Sequence, residues 1–298
     1  MDAESIDFCF TSPPYWNLRN YQVEGQLGLE STPEEYVSNL CDVLDGVGRV
    51  LKLSGSLLLN IGDGYAHNRS YQVSDSKHKT HDFAGSNAAR IPEGMKAGDL
   101  IGIPWMVAFE MRKRGWYWRQ EIVWEKPNCM PESVKNRCGR SHEQLLHFAK
   151  SKSYYWGYDD LLEPCTAQAK KCGPNSRANT DRVPRSNLKQ DMIAKGTYVG
   201  FNDRYKHRET RNSRDVWRIS VKPFKGSHCA AFPPELAEKA VAAGCPLGGV
   251  VLDPFAGTGT VGLAARNLNR DAVLIELNDE YLKDMNLRMG EGTFDVAV

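Results

Sequence analysis

Apolar positions along this chain fall into two patterns. In one, they form short unbroken blocks; in the other, they return every three or four residues. Ile6–Phe10 is a block that reads as the end of a buried strand. Tyr36, Leu40, Val43, Leu44, Val47, Val50 and Leu51 then recur at helical spacing, over about five turns. Thr32 suits the N-cap of that helix, Pro33 its first turn, and Glu35 the closing position of a capping box. Gly55–Ile61 is the next apolar block. Strand, helix and strand in succession point to a parallel sheet.

The same reading continues down the chain. Asp99–Trp105 opens a helix with Trp105, Ala108, Phe109 and Arg112 at helical spacing, stopped by Gly115. Trp116–Trp124 is a strand. Gln144–Ala149 and Ser153–Tyr158 are expected to form an antiparallel pair joined by Lys150-Ser151-Lys152. Leu236, Ala240 and Val241 mark a short helix closed by Gly244. Gly249–Leu252 is a buried strand, followed by a helix carrying Val261, Ala264, Ala265 and Leu268 on one face. Ala272–Ile275 is a last strand and Tyr281–Met289 a last helix.

Two stretches have no period. Residues 62–97 are rich in Gly, Ser, Asn, His and Lys, and are expected to form a lid over a substrate. Residues 166–225 hold fifteen Lys or Arg against five Asp or Glu, a local balance of about +10 in a chain whose net charge is +1. Tyr198, Phe201, Tyr205 and Trp217 interleave with those cations. The pattern suits nucleic-acid contact, with aromatic rings beside phosphate-binding groups. The overall composition, 41% hydrophobic and 25% charged, is that of an ordinary globular protein, and no apolar run reaches the ~18 residues of a membrane span. The acidic start, Met1-Asp2-Ala3-Glu4, leads straight into a strand and reads as no secretory signal. The eight cysteines form no Cys-x-x-Cys pair and no cluster at zinc spacing. They are expected to be reduced thiols of a cytoplasmic protein that holds no metal.

Two short constellations carry candidate chemistry. After the first strand comes Thr11-Ser12-Pro13-Pro14-Tyr15-Trp16. The two prolines end the strand, and the carbonyls of Ser12 and Pro13 are expected to lack ladder partners. With the Ser12 hydroxyl and the flat faces of Tyr15 and Trp16, they suit a planar ligand bearing an exocyclic amino group. The second constellation is Asp253-Pro254-Phe255-Ala256-Gly257-Thr258-Gly259-Thr260, between a strand and a helix. Its glycines let the backbone approach a ligand, and the helix start offers free N–H groups. Glu276, nineteen residues after Gly257, ends the next strand and suits two ribose hydroxyls. The longer Gly-x-Gly-x-x-Gly grip is missing, which favours a nucleoside without pyrophosphate.

Together Asp253–Gly259 and Thr11–Trp16 resemble the S-adenosylmethionine-dependent DNA amino-methyltransferases, in the permuted order called the beta group. Leu100–Trp105, Val123–Asn128, Ser141–Lys150 and His228–Leu236 are also similar to that family. The resemblance implies an α/β fold: a doubly wound, mostly parallel Rossmann-like sheet, circularly permuted, with a basic target-recognition insertion. It implies a catalytic half in 1–165, a target-recognition region in 166–225 and a cofactor-binding half in 226–298. S-adenosylmethionine would be the cofactor, shaped by Asp253, Phe255, Gly257 and Gly259 and held at its ribose by Glu276. Phe232, Pro233 and Thr260 would lie near its methionine end. Ser12, Pro13, Pro14 and Tyr15 would hold a base flipped out of double-stranded DNA, Tyr15 stacking on it, with direct in-line transfer and proton loss after it.

Serine before Pro-Pro-Tyr resembles the N4-cytosine members; the N6-adenine members commonly carry Asp or Asn there. A non-catalytic DNA-binding relic and an RNA substrate are the rival readings. A cognate restriction endonuclease and a second copy of the chain are the protein partners considered. Family members also carry a Gly-Asp segment ahead of the catalytic turn, near the cofactor's adenine. With Thr11 so near the start, that contact is expected to be missing or supplied by another segment.

Overall fold

The computed structural model describes residues 1–66, 91–164, 210–222 and 232–290. The chain divides into two compact units, Met1–Gly157 with Asp215–Val298, and Tyr158–Arg214. The first unit opens with strand β1 (Ile6–Thr11), helix α1 (Pro33–Val50), β2 (Leu51–Ile61), α2 (Ile103–Lys113), β3 (Tyr117–Glu125) and β4 (His142–Ala149). In the second unit, β5 (Glu163–Pro164) and β6 (Thr210–Arg211) form a small antiparallel pair, tied by an Arg211–Glu163 ion pair of 3.0 Å. The first unit resumes with β7 (Val216–Arg218), α3 (Pro234–Gly244), β8 (Val250–Asp253), α4 (Thr260–Asn267), β9 (Asp271–Leu274) and α5 (Asp279–Met289).

The first unit's strands form one sheet in the order β7-β3-β4-β2-β1-β8-β9. Neighbours β2, β1, β8 and β9 run parallel, while β4 is antiparallel to both β2 and β3. From β1 the chain crosses through α1 to β2 on one side; from β8 it crosses through α4 to β9 on the other. The boundary between β8 and β1 is therefore a topological switch point, where sheets of this kind open a crevice at the strands' carboxyl ends. The two candidate turns leave from those two ends.

Local chemistry accounts for most of these elements. Thr32 Oγ1 accepts from the Glu35 amide at 3.1 Å, the expected N-cap of α1. The Glu35 carboxylate reaches back one residue further than a capping box requires, accepting from the Ser31 amide at 3.2 Å and its hydroxyl at 2.9 Å. Tyr36, Leu40, Leu44, Val47 and Val50 are buried as expected; Val43 is exposed, on the helix's outer edge. Leu51 starts β2 directly, so that strand begins four residues before the glycine that sequence suggests as its start.

Helix α2 departs further. Its buried face is Ile103, Pro104, Val107, Ala108 and Met111. Phe109 is exposed, and with Trp105 it packs on Trp118 at the margin of the core. The N-cap, Gly102, has no side chain to offer. The Asp63 carboxylate caps the helix instead, accepting from the amides of Gly102 at 3.0 Å and Ile103 at 3.1 Å.

The expected pairing of Gln144–Ala149 with Ser153–Tyr158 does not occur. β4 is hydrogen-bonded by β2 along one edge and β3 along the other, so no edge remains for a third strand. Residues 153–157 cross irregularly instead: the Tyr155 amide donates to the Ser54 carbonyl, and the Gly157 amide to that of Ala243. Tyr154 and Trp156 thereby enclose His147, whose ring lies 4.5 Å from that of Trp156.

Trp217 does not offer a ring to nucleic acid. It is 1% exposed, paired beside Trp124 in the sheet, with Lys239 of α3 over its face at 4.7 Å. Tyr198, Phe201 and Tyr205 lie outside the described residues, as do 67–90 of the expected lid and most of the basic segment.

Candidate active site

The two turns are tied together from below. Thr11 Oγ1 donates to Asp253 Oδ1 at 2.6 Å, linking the last residue of β1 to the last residue of β8. Asp253 is 1% exposed and also accepts from the Phe255 amide at 3.1 Å. Burial pushes its carboxyl up to about 7. The hydrogen bonds from Thr11 and the Phe255 amide pull the other way, and the charge of Glu276 adds a smaller push upward. Asp253 thus ties the start of the glycine turn to the end of β1.

Above it the backbone turns with left-handed torsions at Gly257 (φ 53°) and Gly259 (φ 76°), which glycine adopts without strain. The Gly257 amide donates to Glu276 Oε2 at 2.7 Å, and the Asn278 amide to Oε1 at 2.9 Å. An ionised carboxylate has about four lone-pair sites. Glu276 therefore keeps acceptor capacity for hydroxyl donors while it holds the turn. Thr260, first in α4, is buried, with the Arg288 guanidinium of α5 at 3.4 Å from its hydroxyl. Pro233 is the N-cap of α3, and the Phe232 ring lies 5.0 Å from that of Phe10 on β1, which brings it to the switch point.

The Ser12-Pro13-Pro14-Tyr15 turn is held as firmly. Tyr36 donates its hydroxyl to the Pro14 carbonyl at 2.8 Å, and the Trp16 indole N–H donates to the Glu30 carbonyl at 3.0 Å. Trp16 is therefore an anchor of the loop. Among the described residues, no hydrogen bond outside the strand ladders ends on the carbonyls of Ser12 or Pro13. The Tyr15 ring lies against Gly62, where an added Cβ would sit 2.6 Å from it. Its hydroxyl donates to Glu143 Oε2 at 2.8 Å. Burial, and next the charge of Glu143, push the Tyr15 phenol well above its ordinary value.

Three polar residues complete this end of the crevice, none singled out by spacing. Asn60 Nδ2 lies 3.1 Å from the Tyr15 hydroxyl, 3.1 Å from Glu143 Oε2 and 3.3 Å from Ser12 Oγ. Glu143 Oε1 accepts from Lys126, whose ammonium also lies 4.2 Å over the Trp124 ring. Asn60 stands out in sequence as a polar residue in the apolar run Gly55–Ile61, while Lys126 and Glu143 lie in the stretches Val123–Asn128 and Ser141–Lys150 without a role of their own. Glu143 and Lys126 enter from β4 and the end of β3, and only the sheet brings them to β1.

A family model described as DNA methylase, the N6/N4 methyltransferase family, matches residues 6–287. The chain belongs to this DNA methylase family. It is 40% identical to the Type II methyltransferase M.SmaI of Serratia marcescens, over 94% of this chain and 83% of that protein. It is also 40% identical to the Type II methyltransferase M.Cfr9I of Citrobacter freundii, over 98% of this chain and 84% of that protein. A solved structure described as PvuII DNA methyltransferase (cytosine-N4-specific) shares the fold, with TM-score 0.61, 17% identity, and coverage of 99% of this chain and 83% of that one. A Thermus thermophilus putative DNA modification methylase complexed with S-adenosyl-L-methionine aligns with TM-score 0.55 and 23% identity, covering 97% and 86%. In this DNA methylase the glycine turn and the Ser-Pro-Pro-Tyr turn are far apart in sequence and adjacent in the sheet. No helix among the described residues is long and apolar enough to cross a membrane, and no group of three or more His, Cys, Asp and Glu there is arranged to hold a metal ion.

Proposed function

We propose that this DNA methylase transfers a methyl group to the exocyclic N4 of cytosine in duplex DNA, acting on a base flipped out of the helix. The observation that carries the reading is the Thr11–Asp253 link, which ties the glycine turn to the Ser-Pro-Pro-Tyr turn at one switch point. The cofactor is S-adenosylmethionine, which when bound supplies an electrophilic methyl on a sulfonium that is its own leaving group. The residues fit its nucleoside. Gly257 and Gly259 admit close backbone approach, and Glu276 retains acceptor sites for ribose hydroxyls. Phe255, Phe232 and Pro233 would flank it; Asp253 and Thr260, both buried, would support the turn and helix that hold it.

Ser12 and the carbonyls of Ser12 and Pro13 would accept from the target amino group and orient its lone pair. Tyr15 would contribute its ring to the base, a contact worth about 1–3 kcal/mol. Position and preformed acceptors are the protein's share of such a reaction. Cytosine is favoured over adenine because Ser12 stands where N6-adenine members commonly carry an acid or amide; the cytosine-N4-specific relative of the same fold supports this. Residues 1–165 and 226–298 would supply the two halves of the catalytic domain, and 166–225 the target-recognition region. A restriction endonuclease of the same specificity is the expected partner, given relatives described as Type II methyltransferases.

Incubation with methyl-labelled cofactor and duplex DNA, then digestion to nucleosides, tests the reading. Label in N4-methyldeoxycytidine is expected. Label in N6-methyldeoxyadenosine alone would replace cytosine by adenine, and no label would remove the activity.

A further inference from the structure

We infer that Glu143, fixed by Lys126, is a positioning residue that ends a proton path from the target amino group through Ser12 and Tyr15. The inference rests on the methyl-transfer reading above and assigns a residue that the two family turns do not contain. It starts from a chemical need. As the exocyclic nitrogen uses its lone pair to form the new N–C bond, the old C–S pair stays on sulfur and positive charge builds on nitrogen. An N–H proton that leaves as the bond forms lowers the barrier to transfer. Ser12 is neutral, and its alcohol cannot keep a proton.

The geometry supplies a way out. The Ser12 hydroxyl is placed to donate to the Tyr15 oxygen at 3.4 Å, and the Tyr15 hydroxyl donates to Glu143 Oε2 at 2.8 Å. As Ser12 Oγ takes the proton from nitrogen, its own proton passes to Tyr15, and that of Tyr15 passes to the carboxylate. The nitrogen ends neutral, both hydroxyls are restored, and the carboxylate becomes a carboxylic acid. Tyr15 is held strongly against ionisation by burial and by the Glu143 charge, so it passes a proton on only as it receives another.

The surrounding bonds set the direction. The Asn60 amide faces Ser12 Oγ, the Tyr15 oxygen and Glu143 Oε2 with its donor end, and can offer hydrogens only toward them. Lys126 donates to the other carboxylate oxygen, Oε1, leaving Oε2 to Tyr15. Among the described residues, the groups facing Glu143 are thus Lys126 from the end of β3, Tyr15 from the turn after β1 and Asn60 from β2. Asn60 is 2% exposed and, among the described residues, its Oδ1 has no hydrogen-bond partner, so burial of that oxygen is the cost of keeping the donor end on this path.

The test is single-turnover transfer by the full chain, with bound cofactor and a DNA that the wild type methylates. The variants are Glu143→Gln, Tyr15→Phe and the two combined. Each single change is expected to slow transfer about 10²-fold, the scale of general acid–base assistance. The combined variant should be no slower than the worse single one, because both interrupt one path. Cofactor affinity by calorimetry and base flipping by 2-aminopurine fluorescence should match wild type. The solvent deuterium isotope effect on transfer should be present in wild type and lost in both single variants.

Undiminished transfer by Glu143→Gln, multiplying losses in the combined variant, or an isotope effect that survives it would each overturn the path. If Glu143→Gln melts early because Lys126 is left unpaired, Lys126→Met with Glu143→Gln carries the same measurements. A wild-type chain that methylates no DNA overturns both readings; a wild-type chain that methylates DNA while Glu143→Gln is equally fast overturns only this one.

Discussion

Asp253 shows how one buried carboxylate gives the site a pH signature. Its folded value is raised to about 7, first by burial, against about 3.9 in an unfolded chain. The native state therefore binds this proton more tightly than the unfolded state does. The stabilisation is complete below about pH 4, declines as pH rises toward about 7, and changes no further above that. The difference is on the order of a few kcal/mol. Asp253→Asn should flatten the stability curve between those limits. Urea unfolding at pH 5 and pH 8 checks this; equal pH slopes in the two proteins would contradict it. In sequence, Asp253 reads as a residue that shapes the cofactor site. The fold adds a contact that sequence does not show: its carboxylate accepts from Thr11 across the β1–β8 boundary.

Among the elements, α3 depends on one missing side chain. Gly244 closes the helix against β1, and an added Cβ would lie 2.0 Å from the Phe8 ring. Phe8 is fully buried, so its ring has nowhere to retreat. Gly244→Ala should lower stability by about 1–3 kcal/mol or more, the cost of overpacking a core. A urea midpoint equal to wild type would refute that packing. Sequence predicts the helix end at Gly244 from its place after an apolar stripe, but not the reason for the glycine. The Asp63 cap of α2 is a similar case. Its partners lie about forty residues on, so no local pattern names it. Local patterns also fail for Ser153–Tyr158, whose aromatic composition suits a strand that β4 has no free edge to accept.

At the scale of the molecule, the charge of about +10 over 166–225 predicts steep salt dependence of DNA binding. Replacing Arg182 and Arg185 with Gln should reduce the log–log salt slope by about 2 if both contact phosphates, since each contact contributes about 0.9. An unchanged slope in filter binding would place the phosphate contacts elsewhere. The sequence alone determined the strand–helix–strand units, the helix cap at Thr32, the glycine turn and the Ser-Pro-Pro-Tyr turn. These are local: hydrophobic period, capping chemistry and backbone freedom act within a few residues. Only the tertiary structure decided that Thr11 meets Asp253, that Trp217 is core, and that Glu143, Lys126 and Asn60 surround Tyr15. Those contacts follow from strand order. A sheet sets side by side the ends of strands far apart in the chain, and no period in the sequence encodes which strand lies next to which.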